Sequence, residues 1–179
     1  MRFLLWLLFL VPGMAFAPGS PQPGPDPSHV DLSKVFILVE KSSYKMYVYE
    51  DVTLIRTYDV LFGTDDFSDK RMEGDKHTPN GTFHIIAKKY DNRWSRFMLL
   101  DYPNDRSLEI FRERKARGEI PESAHLGSGI GIHGVWPRIE DYVFRYRMNW
   151  TDGCISLRNS DVDDLFNLVE VGTPVVIRP

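Results

Sequence analysis

The chain has 179 residues, 42% of them hydrophobic and 13% aromatic, with a formal charge of −3. That supplies the core of one domain with appendages, and the mild acidity without a basic cluster excludes a nucleic-acid partner held by charge. One cysteine, Cys154, excludes an internal disulfide and leaves either a free thiol or an intermolecular bridge.

Met1 to Ala17 reads as an export signal. Arg2 supplies the positive start, Phe3 to Val11 the apolar run, and Ala15-Phe16-Ala17 a small-x-small cleavage site. The run is short of the roughly 20 residues that span a bilayer, so no stable membrane span is expected once the signal is removed. In residues 18–31, Pro18, Pro21, Pro23, Pro25 and Pro27 alternate with Gly, Ser, Gln and Asp. Such a linker favours extended backbone over packing.

Val35 to Val39 is an apolar strand, Lys41-Ser42-Ser43 a turn, and Tyr44 to Tyr49 a return strand with alternating faces. Val52 to Phe62, rich in Val, Leu, Ile, Thr and Tyr, completes an antiparallel meander. Residues 63–77 are polar and acidic but lack the ligand spacing of a calcium loop, so a solvated loop without metal is expected. Thr78-Pro79-Asn80-Gly81 is a turn by its own chemistry, because Pro presets φ and Asn-Gly accepts positive φ. Strands follow over Thr82 to Ala87 and Arg96 to Asp101.

Asp105 is placed to cap a short helix that Gly118 stops, and this charged 105–118 segment is a candidate flap over a cleft. Val135 to Trp150 interleaves Trp136, Tyr142, Phe144, Tyr146 and Trp150 with Arg138, Arg145 and Arg147. That pattern fits either a loop packed by its own aromatics or a lid whose arginines pair with carboxylates. Asn159 or Ser160 caps a last helix, whose Val162, Leu165, Phe166 and Val169 share one face and which Gly172 stops. Thr173 to Ile177 closes as a strand.

The chemistry gathers in Ile130-Gly131-Ile132-His133-Gly134 and Thr151-Asp152-Gly153-Cys154-Ile155-Ser156-Leu157, with 21 positions from His133 to Cys154. A thiol becomes a nucleophile when a neighbouring imidazole takes its proton. Gly153 permits a tight turn, after which the backbone N–H groups of Gly153 and Cys154 could hold an oxyanion. Of the five histidines, His29 lies in the linker, His77 and His84 read as solvated or structural, and His125 is a possible cleft neighbour. A zinc hydrolase built from these histidines and Cys154 lacks any close His pair on a helix.

Together with Thr78-Pro79-Asn80-Gly81-Thr82-Phe83, these stretches resemble the L,D-transpeptidase (YkuD) family of bacterial cell-wall enzymes over most of Val35 to Ile177. Two positions depart from the commonest pattern: Ser156 stands where many members have arginine, and Asp152 where some have histidine. The resemblance implies Cys154 as nucleophile, His133 as base preferred over the other histidines, and a backbone carbonyl orienting the imidazole. It also implies stem peptides of peptidoglycan as substrate, an acyl-enzyme resolved by an amine, and trapping by carbapenems. Gly134, Trp136, Trp150, Thr151, Asp152, Ser156 and Arg158 are the expected substrate contacts. If water resolves the acyl-enzyme, the same residues make a carboxypeptidase or a crosslink hydrolase, and a non-catalytic wall-binding module is the remaining alternative.

The expectation is therefore a signal over residues 1–17, a linker over 18–31 and a catalytic domain over 32–179. The domain is mostly β, a sandwich of mixed sheet with one or two peripheral helices. It is exported to periplasm or wall and monomeric, without cofactor or metal.

Overall fold

A computed structural model describes residues 27–179; the expected signal and residues 18–26 of the expected linker lie outside the described residues. Strands β1 (Val35–Glu40), β2 (Lys45–Glu50) and β3 (Thr53–Asp59) form the expected meander. In β1 every second residue is buried, Val35, Ile37 and Val39, as a half-covered strand requires. Then come β4 (Gly81–Asp91), β5 (Ser95–Leu100), α1 (Asp105–Ala116), β6 (Gly131–His133), α2 (Glu140–Arg145), β7 (Ile155–Ser156), α3 (Asn159–Leu168) and β8 (Pro174–Arg178). The strands form one mixed sheet in the order β3-β2-β1-β8-β4-β5-β6-β7, parallel at β1/β8 and β6/β7.

The sheet is mostly β and mixed as expected, but it is a single sheet that curls on itself. Strand β4 serves both halves: Gly81 to His84 pair with β8, and residues from Ile85 onward pair with β5, across a register shift between Ile85 and Ala87. Such an irregularity bends a strand and increases its twist. The chain leaving β3 then crosses to the far edge, where Leu61 and Ser156 exchange two backbone hydrogen bonds of 2.9 Å. The segment after β3 thus meets β7, and the sheet wraps one core that includes Ile37, Met46, Phe83, Met98, Ile132, Ile155 and Leu165.

Among the described residues three α-helices flank the sheet instead of one or two. Helix α1 is capped by Asn104, not Asp105, through a 3.0 Å bond from the Ser107 N–H. It buries no side chain and is held by Arg114 to the Lys70 carbonyl and the Asp69 carboxylate, 2.8 Å each. Helix α3 buries Val162, Leu165 and Leu168, but the Asn159 side chain is turned away from capping it. The sequence pattern hid α2, whose Val143 and Phe144 pack in a small second cluster with Leu61 and Val135.

The 63–77 loop is more than a solvated excursion. Lys41, expected in a turn, is 1% exposed, and its Nζ donates to the carbonyls of Ser68 (2.9 Å) and Thr78 (3.0 Å). Burial pushes its pKa down to about 8, while Asp69 and Asp66 act the other way. Lys70 and Asp75 form a buried pair at 2.7 Å, and Asp75 also accepts from the backbone N–H groups of Arg71, Met72 and His77. Burial disfavours the Asp75 charge, yet Lys70 and those three amides together hold its pKa below the ordinary carboxylate value.

Candidate active site

Parallel neighbours cannot be joined by a hairpin, so the connection from β6 to β7 must cross over. Residues 134–154 do this, carrying α2. The register sets His133 beside Ser156 and Ile132 beside Ile155, and the Leu157 N–H donates to the His133 carbonyl at 2.8 Å. His133 therefore ends β6, while Cys154, which immediately precedes β7, falls by the same register opposite Gly131 at the start of β6, so the two groups stand on adjacent strands two positions apart in register.

Cys154 is half-buried. Its Sγ donates to the Gly129 carbonyl at 3.6 Å, and the Gly131 N–H faces the sulfur from the same segment. Burial pushes the thiol pKa up and Asp152 adds to that, against the Gly131 amide. The turn before the sulfur needs glycine: Gly153 has φ +122°, and a Cβ there would lie 2.6 Å from the His77 carbonyl oxygen. Thr151 braces this turn, its Oγ1 donating to the Cys154 carbonyl at 2.8 Å and accepting from the Gly153 N–H at 3.2 Å. The Gly153 amide, expected in an oxyanion hole, is thus engaged by Thr151.

His133 is 2% exposed, and its Nδ1 lies 2.7 Å from the Gly134 carbonyl oxygen. A carbonyl only accepts, so Nδ1 carries the proton and Nε2 has the free lone pair. Among the described residues none hydrogen-bonds Nε2. Burial pushes the imidazole pKa down to about 4, overriding the Gly134 carbonyl, which favours the charged ring. Burial thus favours the uncharged form of both the ring and the thiol.

The ring is enclosed by aromatics. Trp94 stacks on it at 4.5 Å, Phe97, its cross-strand neighbour on β5, lies at 5.8 Å, and Trp150 meets it edge-on at 5.5 Å. Gly134 permits close approach from two sides: an added Cβ would sit 2.2 Å from Asn159 Oδ1 and 2.5 Å from the Trp94 carbonyl oxygen. Asn159 holds Val135 through both polar ends, accepting from its N–H and donating to its carbonyl, 3.0 Å each.

The remaining expected contacts divide into two groups. Trp136, 42% exposed, leans on Trp150 at 4.8 Å and forms a rim. Asp152 is exposed and lines a cleft of about 320 Å³ with Lys70, Glu73, Gly127, Ser128 and Ile130. Gly134, Thr151 and Ser156 are buried, and the Ser156 hydroxyl donates to the Gly134 carbonyl at 3.4 Å. Arg158 is spent on α2, 3.5 Å from Asp141 and over the Phe144 ring. Gly134, Thr151 and Ser156 thus lie beneath the surface of the site, and Arg158 is engaged with α2.

No residue of α1 lines the cleft beside Cys154; the helix instead bounds a cavity of about 40 Å³ with Asn80, Phe83 and Tyr102. His77 lies against Ser68 and Asp66, and His84 against Asp101. Among the described residues no group of three or more His, Cys, Asp or Glu is placed to hold a metal. Sequence reading missed Trp94, Phe97 and Asn159. Trp94 carried a signal, as a large aromatic in the polar turn Asp91-Asn92-Arg93.

The fold has solved relatives. The helical cell shape determining protein Pgp2 from Campylobacter jejuni is 22% identical at a TM-score of 0.57, over 80% of this chain and 46% of that one. Bd1075 from Bdellovibrio bacteriovorus is 20% identical at 0.54, over 87% and 50%. An L,D-transpeptidase from Enterococcus faecium is 20% identical at 0.52, over 80% and 49%. The chain spans about half the length of each, and at these identities the likeness is one of fold. No curated protein matches the chain in sequence. The sequence pattern of the L,D-transpeptidase catalytic domain, the YkuD family, matches residues 34–177, and the chain belongs to that family.

Proposed function

We propose that the chain is a cysteine-dependent L,D-transpeptidase acting on peptidoglycan stem peptides through a thioester acyl-enzyme. The observation that carries this reading is the 2.7 Å bond from His133 Nδ1 to the Gly134 carbonyl. It fixes the neutral tautomer whose Nε2 can take a proton, on the strand that runs beside β7 and the Cys154 turn. As sulfur attacks the donor carbonyl, the thiol proton passes to Nε2 and the Sγ–C bond forms. The Gly131 N–H, which faces the sulfur, stabilises the charge that sulfur gains. With the Gly153 amide engaged, the Cys154 N–H is the oxyanion donor in this reading, a contact worth about 2.7–4 kcal/mol. The C–N bond then breaks, the leaving amine takes the proton from the imidazolium, and the thioester remains. An amine of a second stem peptide displaces the sulfur, and the thiol is reprotonated.

Residues 1–17 support export to the envelope, and among the described residues no helix is long and apolar enough to cross a membrane. Incubation with a carbapenem should add one acyl mass to the wild type and none to Cys154→Ala. Muropeptides should then yield crosslinked dimers by mass. Trimmed monomers alone would assign water as the acceptor, and no adduct on the wild type would overturn the reading.

A further inference from the structure

We propose that Trp94 is a positioning residue for His133: the indole at the tip of the β4–β5 hairpin covers the imidazole face, fixes its plane and shuts out water, so that only the Nε2 edge serves for proton transfer. The inference rests on His133 being the base.

The hairpin tip is built for this placement. The Trp94 carbonyl accepts from the Gly134 N–H at 2.9 Å, which ties the tip to the residue following the histidine. A side chain at Gly134 would break that approach, since its Cβ would lie 2.5 Å from the same carbonyl. The indole lies 4.5 Å from the imidazole at 25° and 6.0 Å from Phe97 at 30°, so it spans two cross-strand neighbours like a plate. The Arg93 guanidinium lies over the indole at 4.2 Å. The indole N–H is buried without a hydrogen-bond partner, so the residue is held here by its ring faces and not by its polar end.

Two effects of the plate oppose each other. An aromatic face attracts a cation and so favours imidazolium, whereas exclusion of water disfavours it. Burial is the leading influence on His133, and the net displacement is downward, so exclusion wins. The charged groups facing the ring are Asp91, which favours the imidazolium, and Arg93, which disfavours it, both on the same hairpin. Phe97, Ser156 and Trp150, packed from β5, from β7 and from the segment after α2, bring no charge.

The test is a titration of the His133 ring by NMR in the intact chain, with carbapenem acylation followed against pH. In the wild type the ring should titrate near the buried value of about 4. In Trp94→Leu it should move up by about one to two pH units, the acid limb of acylation should move with it, and the rate at neutral pH should fall about tenfold. Trp94→Phe should restore most of both. If the leucine variant does not fold, Trp94→Met, whose unbranched side chain adapts to the space, takes its place. A ring titration unchanged in the leucine or methionine variant overturns the inference. The NMR readout needs no turnover, so it decides the role of Trp94 even where the wild type fails to acylate, a failure that would count against the enzymatic reading alone.

Discussion

The sulfur and the imidazole stand at the ends of neighbouring strands in opposite kinds of surroundings. Around Cys154 the walls are backbone and small polar groups: the Gly129 carbonyl, the Gly131 amide, and a turn braced by the Thr151 hydroxyl. Around His133 they are aromatic faces, from Trp94, Phe97 and Trp150. A nucleophile must admit a substrate carbonyl and have amides near the charge it gains, so its side stays open and lined with donors. A base must stay unprotonated until it is used, and a dry apolar wall achieves that by disfavouring the imidazolium.

This contrast is open to attack first on the imidazole side. His133→Ala should lower carbapenem acylation by about 10²–10⁴-fold, the usual range for a lost general base, with the fold retained by circular dichroism. A variant that acylates at the wild-type rate would remove the imidazole from the chemistry.

The dry wall should also show in stability against pH. An unfolded histidine titrates near 6.5, and the folded His133 near about 4. Its contribution is complete above the unfolded value and is lost as pH falls from about 6.5 to about 4, because only the unfolded chain gains the proton there. The loss amounts to about 3 kcal/mol. Urea unfolding at pH 7 and pH 4.5 should show it, and His133→Gln should remove that part of the dependence. An identical dependence in the glutamine variant would place the acid sensitivity elsewhere.

The smallest expected effect concerns the join between the two surroundings. Gly134→Ala would place a methyl against Asn159 Oδ1 and the Trp94 carbonyl. Overpacking of this kind costs about 1–3 kcal/mol, and the melting temperature should drop accordingly. Acylation should fall as well, because the Gly134 carbonyl also sets the imidazole tautomer. An unchanged melt would mean that the hairpin tip yields easily and does not clamp the ring.

The sequence determined the local elements and the reactive pair of residues. Alternation in Val35, Ile37 and Val39 specifies a half-buried strand whatever it pairs with, and Gly153 before Cys154 specifies a sharp turn by backbone freedom alone. The His-Gly and Gly-Cys stretches identify the family for the same reason, since their chemistry is local. Only the tertiary structure decided what surrounds those groups. The antiparallel pairing of β5 with β6 brings the tip of the β4–β5 hairpin, and with it Trp94 from 39 positions upstream, onto the imidazole. Tertiary packing also turns Asn159 from a helix cap into a clamp on Val135 and buries Ser156, expected as a substrate contact. Burial is a property of neighbours distant in the chain, and here it pushes both sulfur and imidazole toward their uncharged forms. Local spacing carries no record of those neighbours, so the pair could be read from the sequence while its resting charge could not.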